Sequence, residues 1–509
     1  VALQVQLVPQ QAHALEPRPE LLAEAARQLP DDYPSLRLAS PAQLPNHASV
    51  DFYVEQVLRH AKVILISVHG GVSYWRYGIE RLVELGRQGT KIILVPGDDS
   101  PDPELTTLSN VPSEDSQRLW QYLRQGGADN ARHLLHFAAS RWLDRDYPWS
   151  EPRALPRTLI HHPSYGEATL DHWRADWQPG RPVAALLFYR AQVQAGNTAF
   201  VDTFCQRLQA QGLNPLPIAV ASLKEAECLA QVEAWLDETN AAVILNTTGF
   251  AQSNPDAPQE RPFRRDVPVL QALCALDSEE QWQASAQGLG PRDLAMHIAL
   301  PELDGRLITR PITFKGVAAR SERSQSDVVR YRPHLPGMDF VAELARRWTQ
   351  LAKKRNEDKR VALILANYPT RDGRIGNGVG LDTPAAALNI LKALQEQGYP
   401  VEGLPADGTA LIHQLLGGVT NDLDNLDLRP CAQSLALDDY RRWFASLPAA
   451  NQQAVTERWG PPEQDPMYRS GRLMIAGLRF GLTFVGIQPA RGYQLDAAAV
   501  YHDPDLVPP

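Results

Sequence analysis

The sequence predicts an α/β protein of several domains, built from Rossmann- or flavodoxin-like units with parallel sheets. Three observations carry this. A strand–loop–helix–strand pattern recurs three times. Its strands are continuous apolar, β-branched runs, the mark of parallel sheets covered on both faces. A length of 509 residues, at roughly 100–200 per domain, leaves room for about three or four domains.

In the first unit, Lys62–Val68 is followed by His69-Gly70-Gly71, a predicted helix over Tyr74–Leu85 and a strand over Lys91–Val95. In the second, strand Val183–Tyr189 leads to a helix over Asn197–Gln211 and strand Leu213–Val220. In the third, strand Val361–Asn367 leads to a helix over Pro384–Gln397 and strand Tyr399–Leu404. Further helices are predicted over Ser116–Gln125, Arg132–Leu143 and Asp339–Lys354, and strands over Ala242–Leu245, Leu307–Phe314 and within Leu473–Val485. Pro148, Pro152, Pro156 and Pro163 punctuate one linker, and Arg320–Pro336 reads as a charged, turn-rich second one. The domains expected are therefore 1–147, 164–320 and 338–509.

From first strand valine to helix-ending glycine the three units span 26, 29 and 37 residues (Val63 to Gly89, Val183 to Gly212, Val361 to Gly398). The surplus of the third lies in the loop Tyr368–Asp382. Long loops at the C-terminal ends of parallel strands are where α/β proteins bind ligands.

Composition excludes several classes. Fifty Lys+Arg against 59 Asp+Glu give −9, so no global basic field for nucleic acid exists. No run approaches the 18 or so apolar residues of a membrane helix. Four scattered cysteines without CxxC spacing fit reduced thiols in a cytoplasmic compartment. The first methionine is Met296 and the chain opens on Val1, which suggests a removed initiator or a trimmed N-terminus.

The loop Arg371-Asp-Gly-Arg-Ile-Gly-Asn-Gly-Val-Gly380 stands before Thr383-Pro384, read as N-cap and first-turn proline. Its glycines let backbone N–H groups approach a ligand, and Arg371 and Arg374 offer forked donors for carboxylates. It is neither GxGxxG nor a Walker A. An anion-binding loop and a plain structural loop both remain open. His69 is either a metal contact or part of a tight turn. His161-His162 point to opposite sides of an extended segment, so His161 is a single metal contact or half of a surface pair, and His502-Asp503 has the same standing. Glu302 and Asp304, in Pro301–Arg306, are a candidate base or cation ligand, although Asp304-Gly305 is also ordinary turn chemistry. Tyr189, Asn246 and Asn367 end strands, where they are placed as polar rims of a crevice.

The runs LANYPTRDGRIGNGVGLDTPAAALNILKALQEQGYPV (Leu365–Val401), LPELDGRLITRPITFK (Leu300–Lys315), FGLTFVGIQPARGY (Phe480–Tyr493) and YHDPDLVPP (Tyr501–Pro509) resemble the large-subunit family of aerobic cobaltochelatase, which includes the magnesium chelatase large subunit. The Asn377–Pro384 stretch is closer to the cobalt branch. Family members are more than twice as long, with a His-rich HxGxHG segment beyond the equivalent of Pro509. The resemblance therefore implies the N-terminal portion of such a subunit, inactive by itself. The family commonly has Gly-Asn where Gly481-Leu482 stands here.

The resemblance implies a cytoplasmic, ATP-dependent enzyme that inserts Co²⁺ into hydrogenobyrinic acid a,c-diamide. It works with two smaller subunits, one an AAA+ ATPase, which hold ATP and Mg²⁺. A magnesium or other tetrapyrrole chelatase and a non-catalytic substrate- or partner-binding module are the alternatives. On this reading Arg371, Arg374 and Asn377 hold carboxylates or amides of the macrocycle, and Tyr189, Asn246 and Asn367 line its crevice. Glu302 or Asp304 accepts ring protons, and His69 or His161 touches the metal.

Overall fold

The structure is a computed structural model, and it describes residues 3–7, 19–39, 44, 46–97, 100–253, 261–324, 326–368, 370–424, 426–493 and 507. The chain divides into two compact units, Val1–Gln350 and Leu351–Pro509. His502-Asp503 and most of the Tyr501–Pro509 run lie outside the described residues.

The first unit holds two sheets. Strands β1 (Leu3–Leu7), β2 (Leu36–Ala39), β3 (Val63–Val68) and β4 (Lys91–Pro96) form an all-parallel sheet in the order β2-β1-β3-β4. Val63, Leu65, Ile93 and Val95 pack with Leu119 and Leu134 from helices Ser113–Gln125 and Ala128–Trp142. Ile64, Ile66, Ile92 and Leu94 pack on the other side with Ile79 and Leu82 of helix Arg76–Arg87. Successive strand residues serve two cores, which is why the runs are apolar throughout.

The second sheet has eight strands: β5 (Thr158–His162), β6 (Gly166–Ala168), β7 (Val183–Tyr189), β8 (Asn214–Val220), β9 (Val243–Asn246), β10 (Val269–Ala275), β11 (Leu307–Ser321) and β12 (Ser326–Pro333). Their order is β12-β11-β10-β9-β7-β8-β5-β6, parallel from β11 to β8 and antiparallel at both ends. Strand β11 is longer than the Leu307–Phe314 expected, and β12 occupies most of the segment expected to be turn-rich. An edge strand has one neighbour and a wet face, so β12 carries charges such as the exposed Arg332 that mask its strand character. Helix Leu335–Lys353 returns so closely over β11 that a Cβ on Gly337 would lie 1.8 Å from the Pro311 carbonyl oxygen.

In the second unit β13 (Val361–Leu365), β14 (Gln433–Ala436), β15 (Tyr468–Arg469), β16 (Arg472–Ile475), β17 (Gly477–Phe480) and β18 (Thr483–Ile487) make two three-stranded sheets, β13-β18-β17 and β14-β16-β15. Strands β13 and β18 are parallel. The strand expected over Tyr399–Leu404 does not form. Its place beside β13 is taken by β18, and the segment's carbonyls are met instead by Leu482 N–H on Pro400 (3.0 Å) and the Gln395 amide on Val401 (2.7 Å). Among the described residues no helix is long and apolar enough to cross a membrane.

Candidate functional site

Strand β7 connects onward to β8 on one side, and β9, which lies beside β7 on the other, connects onward to β10. The chain therefore leaves these neighbours in opposite directions at their C-terminal ends, the position at which open α/β sheets form a crevice. The floor of that crevice is a closed polar lattice. Asn246, the last residue of β9, has no solvent exposure. Its amide donates to Gln271 Oε1 at 3.0 Å, and its Oδ1 accepts from Thr248 Oγ1 at 3.0 Å. Thr247 Oγ1 donates to the Leu187 carbonyl at 2.9 Å. Asn246 thus shapes the turn and does not line the crevice.

The segment 247–253 is then folded back and clamped. The Tyr189 hydroxyl accepts the Gly249 N–H at 3.1 Å, and burial raises its phenol pKa. Asp304 accepts Gln252 N–H and Ser253 N–H, both at 2.8 Å, and Arg306 Nη2 at 2.6 Å. Arg306 Nη1 reaches Gln271 Oε1 at 3.1 Å and the Thr248 carbonyl at 3.3 Å. Both side chains are buried, 1% and 0% exposed. Phe250 sits at φ +65, a conformation that costs a non-glycine residue about 1–3 kcal/mol and that the clamp enforces. Above the clamp is a cavity of about 250 Å³ lined by Tyr189, Ser222, Lys224, Phe250, Gln252 and Arg306.

Asp304 is therefore engaged by three donors and holds a loop, which does not suit the proton acceptor expected of it. Glu302 is exposed. Behind Gly249 lies His297, on a π-helical turn (Leu294–Ala299), 3.8 Å from Asp293. Burial, reinforced by the charges of Lys315 and Arg292, pushes its imidazole down to about 4, so it is neutral at pH 7.

The expected histidines stand apart from this crevice wall. His161 Nε2 meets Asp202 at 2.7 Å and His162 Nε2 meets Asp176 at 3.0 Å, each imidazole of β5 engaging its own carboxylate. His69 is half-buried beside Gly97. Among the described residues no three His, Cys, Asp or Glu side chains are grouped to hold a metal ion.

In the second unit, the loop after β13 is tied at its base. Asn367 is buried, accepts the Arg371 N–H at 3.2 Å and bridges to Ile375. Asp372 accepts both Nη1 and Nη2 of Arg429, at 3.0 and 3.1 Å, and Arg429 also donates to Thr420 Oγ1 at 2.7 Å. Gly376 and Gly380, at φ +73 and +75, take the turns. Arg371, Arg374 and Asn377 remain exposed on the loop. The helix Thr383–Glu396 begins one residue earlier than expected, because Asp382 rather than Thr383 caps it, accepting Ala385 N–H at 3.1 Å.

Reading the sequence missed Arg306, Gln271 and His297. A glutamine within the apolar run Val269–Ala275 was the available signal for a buried polar lattice. The arginine beside Asp304-Gly305 was passed over because only the acids of that segment were weighed.

Residues 120–509 match the family described as CobN/Magnesium Chelatase. An aerobic cobaltochelatase subunit CobN of Pseudomonas aeruginosa is 72% identical over 489 residues, covering 96% of this chain and 39% of the relative. The aerobic cobaltochelatase subunit CobN of Sinorhizobium sp is 40% identical, covering 93% and 38%. A solved catalytic subunit of cobaltochelatase from Mycobacterium tuberculosis superimposes with a TM-score of 0.70 at 31% identity, over all of this chain and 40% of that one. The chain spans about two fifths of the length of these relatives.

Proposed function

This chain belongs to the CobN/magnesium chelatase family, and we propose on that footing that it forms the macrocycle-binding part of a cobaltochelatase large subunit. The reaction is insertion of Co²⁺ into hydrogenobyrinic acid a,c-diamide in the cytoplasm, a step of cobalamin biosynthesis. Two smaller subunits, one an AAA+ ATPase, hold ATP and Mg²⁺ and drive the cycle. The 72% identity to the Pseudomonas aeruginosa subunit across 96% of the chain carries the reading. The cobalt branch is favoured over the magnesium branch because the magnesium-chelatase relatives are only 25–27% identical.

Metallation of a tetrapyrrole needs the macrocycle held, its ring N–H protons accepted and a partly dehydrated cation delivered. The exposed Arg371 and Arg374 supply forked donors to peripheral carboxylates, with Asn377 beside them, and Asn367 fixes the base of their loop. The crevice at Tyr189 receives another part of the periphery, its shape set by Asn246. Glu302 is the carboxylate left free to accept protons. His69 and His161 remain single imidazole contacts for a passing cation, a role in which neutral imidazole suits Co²⁺.

The test is an absorbance titration of the full-length subunit with hydrogenobyrinic acid a,c-diamide, followed by Co²⁺ insertion with both partners and ATP. Binding and insertion are expected, with protoporphyrin IX a poor substitute. Failure to bind the corrinoid overturns the reading.

A further inference from the structure

We propose that the cavity between the ends of β7 and β9 is a subsite for a primary carboxamide side arm. The amide oxygen meets Arg306 Nε–H, and the amide N–H meets Gln252 Oε1. This rests on the reading above, that the crevice receives the periphery of a macrocycle.

Arg306 and Gln252 share one wall of the cavity and one anchor. Asp304 Oδ2 accepts both Arg306 Nη2, at 2.6 Å, and the Gln252 N–H, at 2.8 Å. The rest of each side chain is engaged elsewhere: Arg306 Nη1 on Gln271 and Thr248, the Gln252 amide N–H on the Pro262 carbonyl at 2.6 Å. One donor and one acceptor are left over. Arg306 Nε and Gln252 Oε1 are buried and have no hydrogen-bond partner among the described residues. A buried polar group without a partner costs about 1–3 kcal/mol, so such atoms call for a ligand or another explanation.

The leftover pair selects a chemistry. A carboxylate satisfies the donor but sets its charge against the Gln252 oxygen. An ammonium satisfies the acceptor but faces the Arg306 guanidinium. A primary carboxamide carries one oxygen acceptor and two N–H donors, and satisfies both. Size agrees: about 250 Å³ is below the range that encloses a drug-sized ligand, and accepts a side arm of a few heavy atoms while the ring stays outside. Tyr189 does not compete, because its hydroxyl is held by Gly249. A small turn of the Gln252 amide brings its oxygen to the arm.

The experiment compares two ligands on the full-length subunit by equilibrium absorbance titration: hydrogenobyrinic acid a,c-diamide and hydrogenobyrinic acid, which has carboxylates in place of the two amides. Wild-type protein is expected to prefer the diamide about tenfold. Gln252→Met, nearly the same length but without an acceptor oxygen, should bring the preference within about twofold. Gln252→Glu keeps the oxygen and adds repulsion toward a carboxylate, so the preference should persist or widen. Equal binding of both ligands by wild type overturns this subsite and leaves the proposed function standing. A preference indifferent to Gln252→Met, or lost in Gln252→Glu, also overturns it. Binding of neither ligand overturns both proposals together.

Discussion

Asp304 and Arg306 form an ion pair at 2.6 Å whose side chains are 0% and 1% exposed. Removing one partner leaves a buried charge uncompensated, which costs about 3–5 kcal/mol, whereas removing both charges is far cheaper. Asp304→Ala is therefore expected to destabilise the first unit strongly, while Asp304→Asn combined with Arg306→Met costs less than either single change. A double-mutant cycle in urea measures this. Additive single effects would mean that the pair is not coupled.

His297 titrates the same region. Its imidazole falls to about 4 from an ordinary 6.5, because burial and the nearby Lys315 and Arg292 charges disfavour the cation. The unfolded chain binds more protons than the folded one between those values, so stability rises with pH across that window. His297's contribution is complete above about 6.5 and lost as pH falls toward 4, a swing of about 3 kcal/mol. The neighbouring Asp293 carboxyl is shifted up by burial. Its slope has the opposite sign, because it loses stability as pH rises through its folded value. Unfolding at pH 4.5 and 7 should show a smaller pH dependence for His297→Gln than for wild type. An unchanged slope refutes the assignment.

Legibility of the fold followed burial symmetry. Val183–Tyr189 was read with its true bounds because both faces of β7 are covered, so the run is apolar without interruption. The first strand, Leu3–Leu7, alternates Leu-Gln-Val-Gln-Leu and passed unremarked, although it pairs with both β2 and β3. Tyr399–Leu404 had a strand's composition, but the partner of β13 comes from far along the chain, and pairing across such a distance leaves no local trace. The site divides in the same way. Tyr189, Asn246, Asn367 and the loop arginines were found because strand ends announce them. The Asp304–Arg306–Gln271 lattice was not, since it joins β10, the approach to β11 and the loop after β9 through side chains alone.

A two-residue hairpin joins β15 to β16, with Arg469 paired to Arg472 and Ser470 and Gly471 at φ +48 and +79. Two positive φ values are the signature of a type I′ turn, where Asn-Gly is the favoured pair. Ser470→Asn should therefore stabilise the second unit by about 0.5 kcal/mol. Thermal melting should show a rise of about 1–2 °C, and a fall would contradict the turn geometry.

The loop after β13 separates contact from support. Arg371 and Arg374 are exposed, so Ala at either should leave unfolding within about 0.5 kcal/mol of wild type. Each should also weaken corrinoid binding about tenfold, the worth of a charge-assisted hydrogen bond. Arg429 is a positioning residue: both its terminal nitrogens hold Asp372, and it also reaches Thr420 and Asp422. Arg429→Ala should weaken binding through a loosened loop and also raise the proteolytic sensitivity of 371–382, which Arg371→Ala should not. Lysine is a compact charge that cannot reproduce the fork, so Arg429→Lys should restore stability more than affinity. If Arg371→Ala and Arg374→Ala bind the corrinoid as wild type does, the loop is structural.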